Sequence, residues 1–459
     1  MKLTTFVAAL AGGCLATSAM AQSDALAQIA ELRAQLAAVQ AQAGNNTLTE
    51  ERANEIKSIV RDTLADADTR TSLQGGGAMA GYDNGFFMSS ADGNFKLKLG
   101  VLEQVRYVWE FADGDPMGFE NRRTQLNFGG NMFDPSWTYK VRFNYSAVGT
   151  TEVGPLTFNN STPYGETNDT FTLADASITK TLDGGIAITA GQYRTPFTRA
   201  TLVDDGVQLM ADYSPTDYNF SAGYQQGIMG SWSSDMFRAM FSIGNGVGQT
   251  NTSWSDQSAN ASNLNFGVRG EAKLAGSWSQ FGKETSFRGE EFGLLVGAAW
   301  FDSDGNGAIN YDVNDGNNNA LTVDATAFFG GANISAAYTY ANENTNAGDD
   351  AYGLSVQGGL FVTDGIEVWG AWNYIDGKTG PVSTPDQDEA GNWIQVGANV
   401  YFAKNGCKWT TQVNIPLNDQ YDPALNNGGA WGTQSYAPAT GTGADTADTS
   451  ILTQLQFMF

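Results

Sequence analysis

Trp137-Thr138-Tyr139-Lys140-Val141-Arg142-Phe143-Asn144-Tyr145 alternates an aromatic or aliphatic side chain with a polar one at every step. Successive side chains of an extended chain point to opposite faces, so this stretch is predicted as a strand with one apolar and one polar face. The alternation returns at Leu264–Arg269, Ile334–Tyr340, Ile366–Trp369 and, at the end of the chain, Ile451–Phe459. Between 94 and 459 about 16 such segments can be drawn, within the range and even parity of single-chain membrane barrels.

The connections between them alternate in length. Short turn-forming sequences stand at Phe133-Asp134-Pro135, Asp183-Gly184-Gly185, Ser233-Ser234-Asp235, Gly330-Gly331, Thr363-Asp364-Gly365 and Lys404-Asn405-Gly406. Long polar stretches separate them, near 149–170, 194–220, 245–262, 302–319, 377–391 and 419–449. A barrel in the outer membrane has this asymmetry, with tight turns on the periplasmic side and long loops outside. One connection, 276–291, is longer than the rule predicts. A soluble sandwich or propeller is the competing fold, but it needs no export signal and does not order its loops by parity. The fold class expected is therefore all-β, a transmembrane antiparallel barrel, preceded by a short helical segment.

That segment follows an export signal. Lys2, the apolar run Leu3–Leu15 and Ala19-Met20-Ala21 read as a signal peptide over 1–21, with the mature chain starting near Gln22. Cys14 after Ala11-Gly12-Gly13 offers a lipoprotein alternative, though Ala stands where such sites favour Leu. Within 22–70, Leu26, Ile29, Leu32, Leu36 and Val39 form one helical stripe, a short coiled-coil candidate. Thr47-Leu48-Thr49-Glu50 then opens a second helix. Residues 71–93, rich in Gly, Ser and Ala, read as a linker, leaving 94–459 for the barrel.

Composition narrows the chemistry. The formal charge is −25, there is no histidine, 16% of residues are charged and 12% aromatic. An acidic chain of this kind does not suit nucleic acid, whose phosphates want a basic face. Without histidine there is no Ser-His-Asp triad, Cys-His pair or histidine zinc site, so no enzyme is expected. Cys407 is the one cysteine left after cleavage and can form no internal disulfide. No cofactor is expected, with calcium the single candidate. Asp302-Ser303-Asp304-Gly305-Asn306-Gly307 sets oxygen ligands at Asp302, Asp304 and Asn306 before a glycine, as an EF-type loop begins, but Val313 stands where the closing Glu belongs. A solvated acidic turn is the competing reading.

Asn121-Arg122-Arg123-Thr124-Gln125-Leu126-Asn127-Phe128-Gly129-Gly130, followed by Trp137–Tyr145, resembles the second and third strands of the phosphate-selective porin O and P family. Gly191-Gln192-Tyr193-Arg194-Thr195-Pro196-Phe197 resembles that family's Gly-Gln-Phe-Lys-Thr-Pro-Phe segment, which leads into the loop that narrows the pore. The resemblance implies a trimeric porin of 16 strands. The family's phosphate specificity rests on a dense run of basic residues, and this chain is much more acidic.

Parity assigns the lumen. With Trp137, Val141 and Phe143 facing lipid, Lys140 and Arg142 face inward, and Arg106, Arg123, Arg238, Arg269 and Lys273 share that face with Asp175, Glu271 and Glu367. The loop after Tyr193 carries Arg194, Arg199, Asp204 and Asp205. Its acids are expected to face the arginine wall across the narrowest section, giving weak anion preference. Two functions stay open: passive diffusion of small hydrophilic solutes and ions, or an envelope tether whose N-terminal helices touch the cell wall while the barrel anchors them in outer-membrane lipid. A homotrimer with its N-terminal segment in the periplasm is expected in either case.

Overall fold

In a computed structural model the described residues are Ala34, 78–83, 85–111, 117–146, 170–245, 264–304, 317–343, 350–376, 391–417 and 449–459. The chain divides into Met1–Gly77 and Ala78–Phe459. The signal peptide and nearly all of the helical segment lie outside the described residues.

Two short strands, β1 (Met79–Tyr82) and β2 (Phe86–Ser89), come first. They correct the linker reading of 71–93, because β1 pairs with β2 and β2 pairs with the start of the next strand. The long strands follow as β3 (Lys96–Glu110), β4 (Met117–Met132), β5 (Asp134–Ser146), β6 (Thr170–Thr181), β7 (Ile186–Arg194) and β8 (Tyr224–Ser233). The second group is β9 (Phe237–Gly244), β10 (Asn265–Ala275), β11 (Gly293–Asp304), β12 (Asn317–Phe328) and β13 (Ala332–Glu343). The last is β14 (Ala351–Phe361), β15 (Ile366–Asp376), β16 (Gly391–Tyr401), β17 (Cys407–Pro416) and β18 (Ser450–Met458). Each pairs antiparallel with the next, and β18 returns to pair with β3, so β3–β18 close a barrel of 16 strands. Closure leaves no unpaired edge in hydrocarbon, where each unsatisfied backbone group costs several kcal/mol.

The sides of the strands follow the alternation. On β18 Leu452, Gln454 and Gln456 point inward and are at most 1% exposed, while Phe457 is 44% exposed on the outside. No described helix is long and apolar enough to cross a membrane, which says nothing about strands. The outward face carries aromatic residues near both ends. Trp109 and Phe111 are 4.8 Å apart at the loop end, and Phe292 and Phe329 are 5.6 Å apart at the turn end. Such bands sit at the two lipid–water interfaces.

Two connections do not stay outside. The loop 195–223 carries two short helices, α1 (Arg199–Leu202) and α2 (Pro215–Asn219), and nearly all of it is buried within the barrel. Its Phe197 and Phe220 pack with inward Ala299, Phe301, Ala320, Ala341, Ala351, Ile375 and Trp393. Gly353 of β14 makes room for α2, since a Cβ there would lie 2.5 Å from Thr216 and 2.6 Å from Phe220. The over-long connection 276–291 enters from the other end. Phe281 packs on Leu295 and Phe328, and Phe287 packs on Phe361 and Tyr401. Gly330 (φ 66°) turns beneath it, where a Cβ would meet the Glu290 carbonyl at 2.3 Å. The two insertions touch: Glu284 donates its N–H to the Val207 carbonyl and accepts the Leu209 N–H on its carboxylate.

Candidate functional site: the arginine cluster and the inner loop

The pinning point of the loop is one carboxylate. Asp212 accepts from Arg106 Nη1 at 2.7 Å, from Arg122 Nε and Nη2 at 2.8 and 2.9 Å, and from Arg123 Nη2 at 2.6 Å. Adjacent Arg122 and Arg123 can both point inward because the register between β3 and β4 slips there: Arg123 lies opposite Gln104 and Asn121 opposite Val105. A bulge of this kind breaks strict alternation and lets neighbours share a face. Arg106 also pairs with Glu120. Burial disfavours ionised Asp212, but the guanidiniums of Arg122, Arg123 and Arg106 outweigh it and hold the carboxyl well below its ordinary 3.8.

A second cluster lies beside the first. Asp205 accepts from Gln125 Nε2 at 2.7 Å, from the Tyr213 hydroxyl at 2.7 Å and from Arg194 Nη2 at 3.1 Å. Burial again opposes its charge, and Arg194, Arg123 and Arg142 prevail, so Asp205 titrates well below 3.8. Asp204 accepts from Arg142 Nη2 at 2.5 Å, and Arg142 Nε stands 3.2 Å from Asp175. The other wall is held through Lys408, whose Nζ donates to the Gln208 carbonyl, and through Asn399, which donates to the Leu209 carbonyl.

The expected pore-lining residues therefore divide. Arg106, Arg123, Arg142 and Arg269 do face inward, but at 0–3% exposure they are covered. The acids of the loop touch the arginines directly rather than facing them across the narrowest section. Lys140 remains open to water, with 43% of its side chain exposed and Asp175 at 3.3 Å. Arg238 stacks 3.9 Å from the Trp278 ring, and Lys273 donates to the Gly276 carbonyl, so both hold the 276–291 connection. Arg199 donates to Thr326 and to the Phe281 carbonyl, joining the two insertions. Arg269 grips both oxygens of Asp324 at 2.8 and 3.0 Å, with Glu271 beside it.

Asp212, Arg122, Asp324, Asp217 and Glu284 escaped sequence reasoning. Arg122 was hidden by the bulge. The others had a signal in the double-sided apolar run Leu294–Phe301, which a barrel facing only water inside has no use for. Of the calcium candidates, Asp302 and Asp304 lie at the end of β11, opposite Asn319 and Asn317, and Asn306 falls outside the described residues. Among the described residues no group of three or more Asp, Glu, Cys or His could hold a metal ion.

A closed barrel of this size with a loop drawn into its lumen defines a porin-type barrel of the bacterial outer membrane. Residues 95–271 match the family model described as phosphate-selective porin O and P, which supports the resemblance carried by 119–200. No curated protein matches the chain. Among solved structures, a daunomycin complex of Salmonella typhi OmpF matches at 16% identity and TM-score 0.51, covering 83% of this chain and 100% of that one. An anion-selective porin from Comamonas acidovorans matches at 12% identity and TM-score 0.50, covering 79% and 99%. The trimer form of Vibrio cholerae OmpT matches at 11% identity and TM-score 0.47, covering 79% and 99%. These likenesses concern the fold.

Proposed function

We propose that the protein is a porin for passive diffusion of small hydrophilic solutes and ions, narrowed by the 195–223 loop and weakly anion-preferring. The observation that carries this reading is the loop itself, drawn across a wide barrel and fixed there by Asp212 on three guanidiniums. Sixteen strands enclose more space than side chains alone fill. A loop that shrinks the lumen without covalent attachment sets a size limit on what passes. The buried arginines are largely neutralised by its acids, so the remaining bias comes from weaker sources, among them Lys140, an open base beside the loop. That balance favours a slight preference over strong selectivity. The test is current through purified protein in planar bilayers: stepwise channel openings, with a reversal potential in a potassium chloride gradient slightly on the anion side. Absence of steps refutes the channel, and clear cation preference refutes the anion bias.

The protein is further read as a homotrimer. Its support is Glu103, which lies on the outward face of β3 between inward Leu102 and Gln104 and accepts from Thr124 Oγ1 at 2.7 Å. A carboxylate facing lipid is costly, and a protomer interface relieves it. The segment before β1 is read as periplasmic, since β2 pairs with β3 at the end where the short turns and Phe459 lie.

A further inference from the structure

The inner wall of the barrel is unequally covered. On β3, β4 and β16–β18 the inward Gln104, Gln125, Asn399, Gln412, Gln454 and Gln456 are closed over by the loop, none more than 2% exposed. On β13 and β14 the inward side chains are small, and Ser335, Ala337, Ser355 and Gln357 stay half-buried. They border a cavity of about 40 Å3, counted as space open to the centres of water molecules, whose other walls are α1, α2, β12 and the 276–291 connection. One water needs about 10–15 Å3 on this measure, so the cavity holds a small solute or a few waters.

Opposite charges line it with bonding capacity left over. Asp217 of α2, nine-tenths buried, accepts the Ser214 hydroxyl on Oδ2, and its Oδ1 has no hydrogen bond among the described residues. Glu284 lines the same wall, bonded to the Leu209 N–H and to the Gln357 side chain. Arg199 uses Nε and Nη2 on Thr326 and the Phe281 carbonyl, leaving Nη1 with no bond among the described residues. Asp324 is already taken up by Arg269.

We propose that this cavity is a transit site for small solutes bearing both an ammonium and a carboxylate, as an amino acid does, with the ammonium on Asp217 and Glu284 and the carboxylate on Arg199. The inference rests on the diffusion-channel reading and adds a solute class to it. A zwitterion meets a donor for its carboxylate and acceptors for its ammonium, whereas a neutral solute of equal size gains neither charge-assisted bond. Fixed charges of both signs also leave net ion preference weak, as the channel reading requires. Burial pushes Asp217 up to about 7, with Glu284 and Asp324 adding to the rise against the Ser214 bond, and burial also raises Glu284. An ammonium beside Asp217 relieves that penalty. The charged groups around the site are Arg199 on α1, Glu284 on the 276–291 connection, Asp324 on β12, Arg269 and Glu271 on β10, and Lys408 on β17, while β13 and β14 present uncharged Ser335, Ser355 and Gln357. The zwitterion preference is therefore greater at pH 8, where Asp217 is ionised, than at pH 6.

Swelling of proteoliposomes with the full-length protein tests this, using alanine, the neutral lactamide, the anion lactate and the cation ethanolamine. Alanine is expected to enter several-fold faster than lactamide, and Asp217→Asn to bring the ratio of the two rates close to one. Equal rates for alanine and lactamide in the unaltered protein overturn the site. Faster entry of ethanolamine with alanine no better than lactamide overturns the role of Arg199. No swelling with any solute refutes the channel reading instead. If Asp217→Asn fails to show the heat-dependent gel mobility of a folded barrel, Glu284→Gln is read in the same way.

Discussion

Replacing Asp212 with Asn removes one negative charge from a site where Arg106, Arg122 and Arg123 converge, their side chains 2, 9 and 0% exposed. The shape is kept and the charge is lost. At an effective dielectric of about 20, a pair at 3–4 Å is worth about 4 kcal/mol, and leaving a buried charge without its partner costs about 3–5 kcal/mol. Since every 1.4 kcal/mol is tenfold, loop docking weakens by about 10² to a few times 10³. Glu120 beside Arg106 and Asp205 near Arg123 then remain as neighbouring acids among the described residues. Single-channel recording is expected to show larger, noisier openings, and the reversal potential in a potassium chloride gradient moves further toward anions. A folded Asp212→Asn protein with unchanged conductance and unchanged reversal potential refutes the pinning argument.

Deleting 278–288 removes Phe281, Glu284 and Phe287 from the lumen, and conductance rises while the barrel remains heat-modifiable on gels. Acid acts on the loop with a definite sign: Asp205 and Asp212 titrate below 3.8, so their stabilisation is full above that value and drains away as pH falls below it. Asp217 and Glu284, both raised, run the other way, favouring the docked loop below their ordinary 3.8 and 4.5 and losing that contribution as pH rises, through about 7 for Asp217. Conductance followed from pH 8 to 2 is therefore lowest at intermediate pH and rises steeply below about 4. Glu103→Leu removes the lipid-facing carboxylate and its bond from Thr124, and is expected to lower the temperature at which trimers dissociate on unboiled gels.

Strand parity and turn length were legible because lipid enforces them: Trp137–Tyr145 and Ile451–Phe459 must be apolar on one side, and a short turn such as Thr363–Gly365 must bend the chain at once. The inward direction of Arg106, Arg123, Arg142 and Arg269 followed from the same period. What occupies the lumen did not follow, because a loop's destination depends on partners far away in sequence. Asp212 reads as one more loop acid until Arg106, Arg122 and Arg123 are brought to it, and the bulge that turns Arg122 inward has no mark in the spelling of the strand. The length of 276–291 was visible as an anomaly, yet only the packing of Phe281 and Phe287 gives it a direction.

The seam of the barrel joins residues far apart in sequence, Leu455 against Val105 and Phe459 against Val101. Joins between strands so far apart in sequence are the slowest kind of contact to find. Until β18 arrives, β17 and β3 present two bare edges that a membrane cannot hide. A ring that has not shut therefore carries a cost along both edges that only closure removes. β2 has already taken the lower stretch of β3, so the incoming strand finds its register bounded before it docks.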